Sequence, residues 1–286
     1  MPNFNGVWSL TTQLQYAADW PVFSQPRALF LGGNTGSKET VIQFIDVTTT
    51  GNASDFGDLT AGRASLMSAS SKIRAVAAGG NTGSAVNVID YVTIASEGNA
   101  SDFGDLSSTS QEGTGTGSST RGLFQLGLAT DNVNTIEYVT IASTGNATDF
   151  GDRTTTAAYG QDSAISSPTR GVFSGGFISN SVNIIDYVTI ASTGDATDFG
   201  DTSVTRYGMG GASSATRGVF GGGNTSGDTM DYITIASTGN ASDFGNLTNS
   251  PRYISGTSNG VRGIFGGGKV SSTRQDVIQY ITIAST

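Results

Sequence analysis

The sequence contains no cysteine and no histidine. Disulfides, Cys- and His-ligated zinc, Ser-His-Asp and Cys-His nucleophilic catalysis and histidine acid–base chemistry are thereby excluded. Charge is scarce too: charged residues make up 13% of the chain, about half the usual quarter. A charge-laced coiled coil and a charge-extended disordered chain are both ruled out. The 14 basic residues face 23 acidic ones, a net charge of −9, and form no basic run, so no nucleic-acid partner is expected. No apolar stretch approaches about 18 residues, and Met1-Pro2-Asn3-Phe4-Asn5 has neither a basic n-region nor an apolar h-region. Neither membrane insertion nor a signal peptide is expected. Proline occurs only 5 times, but glycine 41 times, with 36% hydrophobic residues in 286. That composition suits short strands and many turns rather than long apolar helices.

What the chain does contain is a repeat. The octet Gly51-Asn52-Ala53-Ser54-Asp55-Phe56-Gly57-Asp58 has close copies beginning at Gly98, Gly145, Gly194 and Gly239, at intervals of 47, 47, 49 and 45. An Arg followed by small and apolar residues recurs six times, at Arg27, Arg74, Arg121, Arg170, Arg217 and Arg262. A β-branched stretch of the Ile-Asp-Tyr-Val-Thr-Ile type also occurs six times, around Asp46, Asp90, Glu137, Asp186, Asp231 and Gln279. Periods of this size mark solenoids or propellers.

Each unit reads as four short strands between turn-forming clusters. In the fourth copy these are Gly171–Gly176, Asn183–Ser192, Phe199–Val204 and Tyr207–Ser214. Four strands in about 47 residues is the size of a propeller blade, and the glycine-rich first strand is expected nearest the axis. The expectation is an all-β, six-bladed propeller in a single domain, with blades at 27–73, 74–120, 121–169, 170–216, 217–261, and 262–286 completed by 1–26. The last unit stops after its second strand, and Gly6-Val7-Trp8-Ser9-Leu10-Thr11 resembles the missing third. Strands from both termini would then close the ring and remove its open edge.

The Gly pairs Gly32-Gly33, Gly79-Gly80, Gly175-Gly176, Gly222-Gly223 and Gly267-Gly268 resemble the kelch double glycine, and Arg63, Arg206 and Arg252 near the three-to-four turn complete the likeness. Phe56, Phe103, Phe150, Phe199 and Phe244 stand where kelch repeats usually carry Trp, and the blade opening at Arg121 has Leu126-Gly127 in place of the pair. The unit Arg217-Gly218-Val219-Phe220-Gly221-Gly222-Gly223, followed by Asp231-Tyr232-Ile233-Thr234-Ile235 and the octet at Gly239, is similar to kelch-like tandem repeats in virion proteins of tailed phages of marine cyanobacteria. That resemblance implies a propeller and a virion location, as a tail-fibre or appendage protein.

The octet aspartates, such as Asp55 with Asp58, offer oxygen ligands but lack the density that calcium needs. Turn closure by Asn and Asp, with Phe packed between blades, is the expectation, with no metal and no cofactor. The recurrent arginines would form a ring on one face of the disc, each paired with an acid such as Asp186 or Asp198. Variation is concentrated in the loops joining strands one and two: Asn34–Thr40, Asn81–Val86, Ala129–Asn134, Phe177–Val182, Asn224–Thr229 and Lys269–Asp276. These loops share a face with the three-to-four turns, and binding is expected there because loops decorate where scaffolds repeat. The candidate ligand-binding residues are Tyr16, Trp20, Tyr159, Phe177, Tyr207, Tyr253, Lys38, Lys269 and Arg274.

No copy breaks the repeat with acids, so a non-enzymatic role is expected; a kelch copper oxidase is excluded by the missing Cys and His. The resemblance implies a virion module that binds a host-surface glycan or receptor alongside other virion proteins. The alternatives are a decoration or scaffold subunit without a receptor role, and a carbohydrate-active enzyme built on the propeller.

Overall fold

The computed structural model describes residues 26–128, 133–157 and 162–285, and among these it contains strands and turns but no helix. β-Branched and aromatic residues pack well on a pleated surface. They form the middle of each unit, while Gly, Ser, Asn and Asp supply the reversals.

The first sheet comprises β1 (Arg27–Asn34), β2 (Lys38–Asp46) and β3 (Ser54–Asp58). The second is β4 (Met67–Ser70), β5 (Arg74–Ala78), β6 (Val86–Thr93) and β7 (Ser101–Ser110). The third is β8 (Thr114–Gly117), β9 (Arg121–Gln125), β10 (Val133–Thr140) and β11 (Thr148–Ala157). The fourth is β12 (Ser163–Ser166), β13 (Arg170–Ser174), β14 (Ile184–Thr189) and β15 (Thr197–Asp201). The fifth is β16 (Met209–Ser213), β17 (Arg217–Gly222), β18 (Thr229–Thr234) and β19 (Ser242–Asn246). The sixth joins β20 (Ser255–Ser258), β21 (Arg262–Gly266) and β24 (Ile278–Thr282), with a small hairpin of β22 (Lys269–Val270) and β23 (Thr273–Arg274) beside it. The protein is an all-β, six-bladed propeller of antiparallel sheets.

The strands lie close to where the repeat places them, but the blades are displaced by one strand. The fourth strand of each sequence unit pairs with the following Arg strand, as Met67 to Ser70 does with Ala78 to Ala75. β4, β8, β12, β16 and β20 neighbour one another around the axis. They are therefore the inner strands, and the glycine-rich Arg strand is second. The boundaries expected at Arg74, Arg121, Arg170, Arg217 and Arg262 thus fall inside blades, because a turn as short as residues 71–73 makes a hairpin of β4 and β5, whereas residues 59–66 separate β4 from β3. Completion of the last blade by residues 1–25 lies outside the described residues. Among the described ones, the sixth blade packs directly on the first: Ile264 shares a buried cluster with Ala28, Ile45 and Val47.

The core consists of such clusters between neighbouring blades. Ile42, Phe56 and Leu59 of the first meet Ala75, Ala77 and Val92 of the second, and Leu123, Ile136 and Phe150 of the third meet Phe173, Val188 and Ile190 of the fourth. Each octet Phe also meets the aromatic of its own β-branched strand edge to face, as in Tyr91–Phe103 at 5.8 Å and 78°.

Two glycine positions in the repeat have clear physical reasons. Both residues of each Gly pair have positive φ, as in Gly79 at 61° and Gly80 at 104°, and a Cβ on Gly79 would sit 2.5 Å from the Ser110 carbonyl oxygen. The octet glycines Gly57, Gly104, Gly151 and Gly200 lie against the next blade, where a Cβ would come within 2.4–2.6 Å of the carbonyl oxygen of Gly98, Gly145, Gly194 or Gly239.

Candidate functional site

The antiparallel order sets two faces. One carries the octet turns and the turns that lead into each Arg; the other carries the variable loops and the connections into the inner strands.

On the octet face, the recurrent arginines form a ring of clasps. Arg27, Arg74, Arg121, Arg170, Arg217 and Arg262 donate through Nη1 to the carbonyls of Ile94, Ile141, Ile190, Ile235, Ile283 and Val47 in the following blade, at 2.8–3.3 Å. The last of these runs from sixth blade to first. Each guanidinium also stacks on the aromatic of its own blade, as Arg170 does over Tyr187 at 4.3 Å. The expected acid partners Asp186 and Asp198 are not used. Among the described residues, only Arg27 adds an acid, Glu97 at 2.8 Å. The octet amides reach outward as well: Asn99, Asn146 and Asn240 accept from the Asp58, Asp105 and Asp201 N–H groups of the preceding blade at 3.1 Å. They stitch blades together rather than closing only their own turns.

Between blades lie buried ion pairs. Arg63 meets Asp90 at 2.6 Å, Arg206 meets Asp231 at 2.7 Å, and Arg153 holds both Asp186 and Asp162. Burial draws the guanidinium pKa values of Arg63 and Arg206 down, and the facing aspartates oppose it. Asp162 is pushed up to about 7 by burial, against the pull of Arg153.

The third and sixth blades depart from this scheme. Glu137 is buried and accepts from the Ser107 N–H and hydroxyl. In the sixth, Gln279 stands where the acid would be, accepting from the Thr248 N–H at 2.8 Å and hydroxyl at 2.7 Å. With no carboxylate to draw it inward, Arg252 stays only half-buried, its guanidinium 5.5 Å from the Tyr253 ring centroid. The kelch-like likeness of Arg252 to Arg63 and Arg206 therefore does not extend to its role.

On the variable face, three of the candidates converge. Phe177 from the fourth blade meets Tyr207 edge to face at 5.4 Å, and Tyr207 meets Tyr253 at 6.0 Å. All three are half-buried. Burial, followed by the hydrogen bond with Tyr207, raises the Tyr253 hydroxyl pKa. Lys38, Lys269 and Arg274 belong to neighbouring loops of the first and sixth blades. Lys269 pairs with Arg274 in the β22–β23 ladder, Arg274 donates to Asn34 at 3.3 Å, and Asn34 pairs with Lys38. Tyr16, Trp20 and Tyr159 lie outside the described residues.

Sequence reasoning missed a ring at the mouth of the central channel. The residues just before the inner strands, Ser65, Glu112, Gly208 and Tyr253, have φ of 55°, 62°, 73° and 59°. Glu112 donates its N–H to the Ser65 carbonyl at 2.9 Å, and Tyr253 donates to Gly208 at 2.8 Å. Their side chains share no property, so only the backbone reveals that the positions are equivalent. For Glu and Tyr the left-handed conformation is costly, and it presents both at the channel rim. Among the described residues no group of three or more acids is placed to hold a metal ion.

Comparison with protein-family models and with curated proteins gives no match.

Proposed function

We propose that this propeller is a non-catalytic phage virion protein, a tail-fibre or appendage module that binds a host-surface glycan or receptor on its variable face. The virion assignment rests on the resemblance of the repeat to kelch-like virion proteins. The aromatic row Phe177–Tyr207–Tyr253 carries the binding role, because three half-buried rings drawn from three blades form one contiguous surface. Aromatic rings stack on the apolar faces of sugars and keep a polar edge in water. The non-catalytic part is supported by the use made of the repeated strand acids: Asp90, Asp186 and Asp231 are held in buried ion pairs, which withdraws these three from the acid and base roles of glycoside hydrolysis.

The test is retention on a glycan array of the intact chain and of a variant carrying Phe177→Ala and Tyr253→Gly, together with electron microscopy of particles labelled against the chain. Tyr253→Gly removes a ring where the backbone already has the geometry that Gly prefers. Labelled appendages and lost retention are expected. Unlabelled particles would remove the virion role, and equal retention by the variant would move binding off this face. Release of sugar from any polysaccharide would make the chain an enzyme.

A further inference from the structure

All 14 cationic side chains of the protein can be assigned a place. Six arginines clasp the next blade through its carbonyls. Arg63, Arg153 and Arg206 are held in buried ion pairs. The rest are Lys38, Lys72, Arg252, Lys269 and Arg274. Lys72 lies on the octet face, in the turn before Arg74. The other four occupy one sector of the variable face, across the junction of the sixth and first blades.

Backbone bonds hold that sector together. Arg252 and Lys269 exchange N–H···O bonds at 2.8 and 2.9 Å, and the Lys269–Arg274 and Asn34–Lys38 pairs continue the chain of contacts into the first blade. Among the described residues, none of the four makes an ion pair. The nearest acid in sequence, Glu39, is occupied by the hydroxyls of Thr35 and Ser37, which hold its pKa below the ordinary value. Asp276 is exposed in the turn beyond Arg274. Arg252 Nε is buried without an acceptor, and Arg252 Nη2 reaches only the Ser271 carbonyl at 3.5 Å. A guanidinium without a carboxylate partner, beside three other cations that form no ion pair, is an arrangement suited to an anion. In a protein of net charge −9 this sector has the opposite sign to the whole.

Arg252 also joins this sector to the aromatic row, since it stacks on Tyr253, the last ring of that row. We infer that the variable face takes an acidic polysaccharide, with sugar rings against Tyr253 and Tyr207 and carboxylate or sulfate groups against Arg252, Lys269, Arg274 and Lys38. This rests on the glycan-binding reading above and adds the sign of the ligand and the residues that select it. A uronate and a sulfated sugar would use the same cations, so both are included as probes.

The experiment measures retention of the intact chain by immobilised polygalacturonate, dextran sulfate, uncharged dextran and a single-stranded DNA oligonucleotide. It is repeated with Lys38→Ala, Lys269→Ala and Arg274→Ala combined, and with Lys72→Ala as a cation-removing control on the other face; thermal midpoints confirm folding. The expected result is retention by at least one acidic polysaccharide that weakens as salt rises through about 0.15 M, where the Debye length is about 8 Å. The triple variant should lose on the order of tenfold in affinity, and Lys72→Ala should lose none. Retention by dextran alone would overturn the acidic ligand and leave the glycan reading standing. Equal loss with Lys72→Ala would show a general charge effect and overturn the site. DNA held as tightly as the polysaccharides, through the same three cations, would overturn the saccharide. No retention by either acidic polysaccharide would also overturn the inference, while the glycan reading would still be decided by the array.

Discussion

The pair Arg206–Asp231 offers the sharpest test of how the blades are held together. Both side chains are fully buried, and Arg206 donates to the Asp231 carboxylate at 2.7 Å and to the Gly222 carbonyl at 3.0 Å. Replacing Asp231 with Asn leaves a guanidinium in the interior without its counter-charge, and breaking a buried pair in this way costs about 3–5 kcal/mol. A domain of this size loses roughly 2–3 °C in Tm per kcal/mol, so a fall of roughly 6–15 °C is expected by differential scanning fluorimetry or circular dichroism. Combining Asp231→Asn with Arg206→Met removes the unpaired charge as well. Because desolvation of the two ions offsets much of their attraction, the double variant should recover more than half of the loss. The protein already contains a related solution in its sixth blade, where Gln279 takes the place of the acid and bonds to Thr248. If Asp231→Asn melts with the wild type, or the double variant melts no higher than the single, the account of the pair is wrong.

Gly104→Ala would bring a Cβ to 2.5 Å from the Gly145 carbonyl at a φ of 148°, whereas Gly245→Ala at 129° meets nothing within 4 Å. Thermal melts should therefore show a loss of about 1 kcal/mol for Gly245→Ala and roughly 2–3 kcal/mol more for Gly104→Ala; equal losses would remove the blade-contact argument. The folded pKa of Asp162 is raised to about 7, so the native state binds this proton more readily than the unfolded chain. Its stabilising effect is complete below the unfolded value near 3.8 and is lost as pH rises through about 7. Tm should climb when pH is lowered from about 8 to about 5, and Asp162→Asn should flatten that climb; an unchanged profile in the variant would assign the effect elsewhere. Deleting residues 1–25 should lower Tm and promote aggregation, because the inner edge of β1 and the outer edge of β24 have no partner among the described residues. A truncated chain that melts and elutes like the intact one would show that ring closure needs only the contact of sixth blade on first.

Much of the architecture was legible because a repeat reports its own period. Six copies of the Arg motif and of the β-branched stretch set the blade count, and the strand cores at Ile184–Thr189 and its counterparts fell where β-branched runs placed them. The phase of the blades was not legible. A unit of four strands reads equally well from any starting strand, and which hairpin is bonded depends on turn geometry at Ser71–Ile73 and its equivalents rather than on composition. Arg partners were misjudged for a related reason: acids are visible in a sequence, whereas the carbonyls of Ile94 and Ile141 that accept from Arg27 and Arg74 belong to every residue. The aromatic candidates Phe177, Tyr207 and Tyr253 did converge, since all three stood beside loops already assigned to one face.

In a repeat protein, chemistry available to a ligand arises where a copy stops satisfying itself. The inner-strand junctions of the second and fifth blades place an arginine opposite an acid and bury both. The sixth blade has exchanged the acid for Gln279, and the consequence appears at the variable face, where Arg252 stacks on Tyr253 and, among the described residues, has no ion-pair partner. That same blade inserts the β22–β23 hairpin, which brings Lys269 and Arg274 to the first blade through Asn34. One lost carboxylate and one added hairpin thus turn a self-neutralising junction into a cationic sector at the end of the aromatic row. On the proposed reading, binding is therefore concentrated where the repeat departs from itself, and the other junctions remain scaffold.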